Sequence, residues 1–181
     1  YKRQVFTTLI AFNVRGCFGS LRESFHHSLF QVASIITTTG FSTVDFNQWP
    51  AFSKLLLVLL MFIGACAGST GGGMKCSRIL LLFKGVKKEM MSLIHPRLVR
   101  VHKMDGQRVQ HEVMRSVNAF LVAYLIVIAT SILIVSLRCE DMVTSFTSVV
   151  TCINNVGPGL NQVGPAANFG ALHPLSKIVL T

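Results

Sequence analysis

The sequence predicts an all-α membrane protein built from helix–pore-loop–helix units, and three observations carry that prediction. A long uncharged run occupies 116–137. A second apolar stretch, 52–88, is interrupted by a cluster of glycines. Two short semi-polar segments, 24–41 and 141–160, each end in a glycine-bearing tail, and the two resemble one another.

Composition narrows the class. Hydrophobic residues make up 51% of the chain and the mean hydropathy is +0.56, yet the formal net charge is +10. A soluble basic protein is rarely so apolar, whereas a membrane protein keeps apolar spans and charged loops in separate segments. The charge is concentrated at Lys75, Arg78, Lys84, Lys87, Lys88, Arg97, Arg100, Lys103, Arg108 and Arg115, against Glu89, Asp105 and Glu112. Such a stretch between apolar regions reads as a cytoplasmic loop, because Lys and Arg resist translocation. It has no aromatic residue between Phe83 and Phe120 to stack on bases, so no nucleic-acid partner is expected. Cys17, Cys66, Cys76, Cys139 and Cys152 form no C-x-x-C pair and indicate neither a disulfide framework nor a zinc site.

Taken in order, residues 6–14 read as the end of a spanning helix. Residues 24–41 hold a few helical turns and then an extended tail, too short to cross a bilayer, as in a pore helix that enters the membrane and turns back. The apolar run 55–67 is also too short to span, and an apolar pattern resumes only at 74–83. A single spanning segment broken at mid-depth accounts for both, and such breaks are tolerated only where the freed backbone lines a cavity or packs in protein. The run 116–137, bracketed by Arg115 and Arg138, is long enough to cross a hydrocarbon core of about 30 Å at about 1.5 Å per residue. A second pore helix and tail are expected at 141–160, with Asp141 as the helix cap, and a further helix from about 172. The chain opens at Tyr1 and reaches Thr181 just as a new apolar run begins, so it reads as part of a longer chain.

An internal repeat supports this division. With Gly40 set on Gly157, Ser34, Ile36, Thr37 and Thr38 lie over Thr151, Ile153, Asn154 and Asn155. Downstream, Trp49-Pro50 echoes His173-Pro174, each leading into an apolar run. Duplicated units are a recurring way to build membrane transporters.

A potassium ion entering a narrow filter must shed water, and inward-facing backbone carbonyls can replace it. Glycine adopts the torsions this needs at least cost. Thr38, Thr39 and Gly40 fit one filter strand, and Asn155, Val156 and Gly157 a second. Neither tail carries a carboxylate, which disfavours a ring of acidic side chains. Asp45, just beyond the first tail, reads first as a turn or cap residue.

Thr37-Thr38-Thr39-Gly40-Phe41, the stretch GACAGSTGGGMK ending at Lys75, and Asn154-Asn155-Val156-Gly157-Pro158-Gly159-Leu160 together resemble the signature segments of the bacterial Trk potassium-uptake family, within the Trk/Ktr/HKT superfamily. The resemblance covers essentially the whole chain. It implies four tandem pore-loop units around one central ion pore, of which this chain resembles the third (1–90) and most of the fourth (113–181), joined by a basic cytoplasmic loop at 91–112. It implies K+ as the transported ion, with Gly40 and Gly157 as filter glycines. It further implies a flexible intramembrane gate at Gly68, Ser69, Thr70, Gly71, Gly72 and Gly73, with Lys75 just beyond. The partners implied are the lipid bilayer, the remaining units of the same chain, a second copy in a homodimer, and a cytosolic nucleotide-binding regulatory ring of the TrkA type facing the basic loop. The location implied is the bacterial cytoplasmic (inner) membrane. A channel or a symporter for other monovalent cations is the alternative.

A nucleotide-binding reading of 68–75 fares worse. A P-loop needs Gly-Lys-Ser/Thr at its end and a strand before it, but Met74 precedes Lys75 and Cys76 follows. His26 and His27 are adjacent, which is poor ligand spacing on a helix face, and the seven acids form no convincing catalytic pair. No enzyme activity is expected.

Overall fold

The structure is a computed structural model and describes residues 1–64, 68–69, 71–94, 103–104, 107–108, 111–139 and 141–181. Its helices are α1 (Lys2–Asn13), α2 (Leu21–Ile36), α3 (Ala51–Phe62), α4 (Cys76–Ile94), α5 (His111–Ser136), α6 (Met142–Ile153) and α7 (Pro174–Leu180). Short 3-10 turns at Val14–Cys17, Phe46–Gln48, Asn161–Val163 and Phe169–Ala171 connect them. The strand content among the described residues is one antiparallel pair, β1 (Lys103–Met104) with β2 (Gln107–Arg108), in which Lys103 faces Arg108.

Local chemistry sets the helix ends. Ser20 Oγ accepts the Arg22 N–H at 3.3 Å and Glu23 lies in the first turn, so α2 starts at Leu21 rather than at 24. The Ser-x-x-Glu pattern is an N-terminal signal in its own right, and it lies upstream of where the apolar pattern begins. Asp141 caps α6 as expected, accepting the Val143 and Thr144 N–H groups at 3.2 Å each. Both α3 and α7 open at a proline, Pro50 just before the one and Pro174 as the first residue of the other, where the missing N–H costs nothing.

Two further boundaries differ from the sequence expectation. The helix expected at 116–137 starts at His111, and α4 continues to Ile94, past 90. Charged residues mark where a segment leaves the lipid, whereas a helix ends where its backbone hydrogen bonds end, so helices project beyond the apolar run. Of the basic loop 91–112, residues 95–102, 105–106 and 109–110 lie outside the described residues.

The helix α5 is long and apolar enough to cross a membrane and turns Val122, Leu125, Ile126, Val127 and Leu133 outward. Its N-terminal end packs on α4 through Leu81, Met114 and Val117, and the Arg78 guanidinium lies 4.1 Å from the centre of the Phe120 ring. The main core joins the two repeats: Ile10 of α1, Val14 just after it, and Val32 and Ile35 of α2 meet Leu57, Leu60 and Met61 from α3 and Val150, Val156 and Leu160 from the second pore hairpin.

Candidate functional site

Each pore helix ends in the same hydrogen-bonded turn. After α2, the N–H groups of Thr37, Thr38 and Thr39 donate to Ala33, Ile35 and Ser34 at 3.0, 3.1 and 2.9 Å. After α6, those of Asn154, Asn155 and Val156 donate to Val150, Cys152 and Thr151 at 3.1, 3.0 and 2.9 Å. Every donor and acceptor corresponds under the shift that sets Gly40 on Gly157. The pattern is a Schellman motif, whose left-handed residue turns the chain back on itself. That residue is Thr38 (φ 54°) in one loop and Asn155 (φ 58°) in the other, and Gly40 (φ 78°) and Gly157 (φ 100°) follow with positive φ as well. Beyond the turns, residues 39–42 and 156–159 belong to neither helix nor strand.

The two tails lie against each other. A methyl group placed on Gly40 would overlap the Val156 carbonyl oxygen and come within 3.2 Å of Pro158 Cδ. Gly157 has no atom within 4 Å of that position and faces open space. Thr39 and Asn155 are exposed, while Val156 is buried in the core shared by the units. Side chains on the pore helices hold the strands in place: Ser34 Oγ donates to the Phe41 carbonyl at 2.6 Å, and the Leu160 N–H donates to Thr147 Oγ1 at 3.2 Å.

Beyond the glycines the loops are tied again. The Asn161 N–H donates to Asn47 Oδ1 at 3.0 Å, and Asn47 Nδ2 donates back to the Asn161 carbonyl at 3.3 Å. Asn161 Nδ2 donates to Asp141 Oδ2 at 2.6 Å. That bond, with one from the Thr144 hydroxyl, holds the Asp141 carboxyl below the usual carboxylate range. Asp45 accepts the Asn47 N–H at 3.0 Å, the cap role expected of it.

The glycine-rich segment separates α3 from α4. A helix, not a strand, precedes it, so the context a P-loop needs is missing. The break is closed by backbone: Ile63 and Met74 form a parallel bridge, and the Gly64 N–H donates to the Met74 carbonyl at 3.0 Å. Lys75 Nζ donates to the Ser69 carbonyl at 2.9 Å and Gly71 N–H to Ser69 Oγ at 3.2 Å. Gly72 and Gly73 press on Asn154 at the end of α6. Gly68 has open space around it, and Thr70 lies outside the described residues.

Sequence reasoning passed over three residues here. Lys2 Nζ donates to the Gly64 carbonyl at 2.9 Å, capping a break far along the chain. Tyr124 OH donates to Asn154 Oδ1 at 2.7 Å. A lysine early in the chain and a tyrosine inside an uncharged run carry no local signal for such roles; Asn154 stood in a signature segment but had no assigned part.

Paired re-entrant hairpins beside a broken helix and an apolar spanning helix define an all-α membrane protein of helix–pore-loop–helix units. Comparison with known proteins agrees, and the sequence profile of the TrkH family, described as cation transport protein, matches residues 4–181. The chain belongs to that family. It is 39% identical over 163 residues to the Trk system potassium uptake protein TrkH of Salmonella typhimurium, covering 90% of this chain and 33% of the relative. It is 42% identical over 158 residues to the TrkH of Vibrio parahaemolyticus, covering 87% of this chain and 32% of that protein. It is 39% identical over 160 residues to the Escherichia coli protein TrkG, covering 88% of this chain and 33% of the relative. The crystal structure of the potassium transporter TrkH from Vibrio parahaemolyticus superposes with a TM-score of 0.89 at 37% identity, over 98% of this chain and 38% of that one. The chain thus spans about a third of the length of the curated relatives it matches, 33% in the first case.

Proposed function

We propose that this chain supplies two pore-loop units to a potassium-uptake protein of the bacterial cytoplasmic membrane. Thr38, Thr39 and Gly40 with Asn155, Val156 and Gly157 form half of a carbonyl-lined filter, and further units complete the ring. The observation that carries this reading is the close approach of Gly40 to the Val156 carbonyl and the Pro158 ring, between two tails built on the same turn. Two equivalent strands side by side, one with a glycine facing open space, suit a ring in which peptide oxygens replace the water of a dehydrated ion.

The glycine-rich segment lies beside the end of the second pore helix and forms the gate on this reading, with Gly68, Ser69, Thr70, Gly71, Gly72, Gly73 and Lys75 as its parts. A homodimer and a cytosolic nucleotide-binding ring of the TrkA type, docking near the basic loop, complete the assembly; the names of the relatives, Trk system potassium uptake proteins, support the potassium assignment.

The test is ion discrimination in the complete protein. Gly157→Ser and Gly40→Ser are expected to lower the ratio of rubidium to sodium uptake by about an order of magnitude, the loss of about 1.4 kcal/mol of preference. Unaltered discrimination in both variants would overturn the filter assignment.

A further inference from the structure

Asn154 is the last residue before the second tail turns left-handed, and α6, α5 and the glycine-rich segment meet on it. Its side chain is fully buried. Nδ2 donates to the Val150 carbonyl on α6 at 2.8 Å, and Oδ1 accepts the Tyr124 hydroxyl of α5 at 2.7 Å. On the other side lies the break between α3 and α4. A methyl group on Gly72 would overlap the Asn154 carbonyl oxygen, and one on Gly73 would lie 2.6 Å from Asn154 Oδ1. Gly73 also has φ 77°, so its place in this contact needs a glycine twice over.

The first loop shows what is particular to the second. There the matching residue is Thr37, whose Oγ1 donates to the Ala33 carbonyl at 2.8 Å, the same helix-end bond that Asn154 makes to Val150. Thr37 is exposed, and its hydroxyl's further partners are the Ser34 carbonyl at 3.3 Å and Thr39 Oγ1 at 2.6 Å, all within the same hairpin. An asparagine keeps the helix-end bond and adds a carbonyl oxygen pointing away from the helix. Tyr124 fixes that oxygen, and the glycine-rich segment rests on it. The amide is therefore held at both ends, and a rigid surface is presented to the segment on the reading above that moves.

We infer that Asn154, oriented by Tyr124, is a positioning residue that latches the glycine-rich segment to the base of the second pore loop, so that α5 influences the gate through one amide. The inference rests on reading that segment as a gate. Loss of the Tyr124 hydroxyl leaves the amide free to turn, loosens the seat of Gly72 and Gly73, and shifts the closed-to-open ratio by about two- to tenfold, the range a single net hydrogen bond supplies.

The experiment measures rubidium flux into liposomes containing the complete protein. Four proteins are compared: the unaltered protein, Tyr124→Phe, a deletion of 71–73, and the deletion combined with Tyr124→Phe. The deletion alone tests the gate; unchanged flux there removes the gate reading and the latch with it. If the deletion raises flux, the latch requires Tyr124→Phe to raise flux in the unaltered background, to add nothing in the deletion, and to keep the apparent KM for rubidium and the rubidium-to-sodium ratio. Flux at the unaltered level in Tyr124→Phe, or an equal rise in both backgrounds, overturns the latch and leaves the gate standing. Asn154→Ser, which withdraws the amide from Tyr124 and Gly73 together, is read by the same criteria and decides the matter should Tyr124→Phe fold poorly.

Discussion

Thr38 holds a conformation that β-branched residues avoid, with φ at 54°. The left-handed region costs an L-residue about 1–2 kcal/mol, and such strain gathers where backbone geometry serves a function. Asn155 takes the same position in the second loop at less expense, since asparagine tolerates it. The sequence marks Gly40 and Gly157 plainly, because glycine announces a special torsion. It does not mark Thr38, whose torsion follows from the turn that its neighbours' hydrogen bonds impose. Asp141 makes a titratable prediction at this scale. Hydrogen bonds from Asn161 and Thr144 depress its carboxyl, so its contribution to stability is present above the unfolded carboxyl value of about 3.9 and is lost as pH falls through the lower folded value. Melting of the solubilised protein should fall through that acidic window, and Asp141→Asn should flatten the dependence. An identical pH profile in the variant would count against the cap.

At the scale of elements, α5 was legible because lipid imposes length and apolarity together. The two pore helices were legible because each is too short to span and ends in a glycine-bearing tail. The closure of the break was not legible. It depends on Gly64 meeting Met74 across the whole interruption, and on Lys2 reaching the Gly64 carbonyl from α1. Such pairings have no periodicity to read. They do have a steric consequence: a methyl group on Gly64 would lie 2.7 Å from the Gly72 carbonyl oxygen and 3.2 Å from that of Met74. Gly64→Ala should therefore destabilise the protein by about 1–3 kcal/mol through overpacking. Gly16→Ala, with nothing within 4 Å, should leave the melting temperature nearly unchanged. Equal melting temperatures for the two variants would argue that the break is not closed in this way.

For the whole molecule, the repeat was visible as a short alignment, and its backbone counterpart is complete at the turns. What the alignment could not convey is how the two units dock. They share one core, their tails touch at Gly40 and Val156, and Asn47 and Asn161 exchange two hydrogen bonds beyond the glycines. Asn47→Ala should cost about 1–2 kcal/mol of stability, the net worth of two partly exposed hydrogen bonds. Thermal melting compared with Lys54→Ala, which removes a single bond to the Asn47 carbonyl, checks the assignment. A smaller loss in Asn47→Ala than in Lys54→Ala would place the tie between units elsewhere.

The unequal surroundings of Gly40 and Gly157 carry a consequence for how damage at the two positions would express itself. An added side chain at the first has nowhere to go without pushing the neighbouring strand sideways, so the harm spreads to the opposite loop. One at the second projects into vacant volume and acts as a plug. On the filter reading, two lesions alike on paper would then separate in practice: both blur ion preference, the first by warping the aperture, the second by narrowing it, which lowers throughput as well.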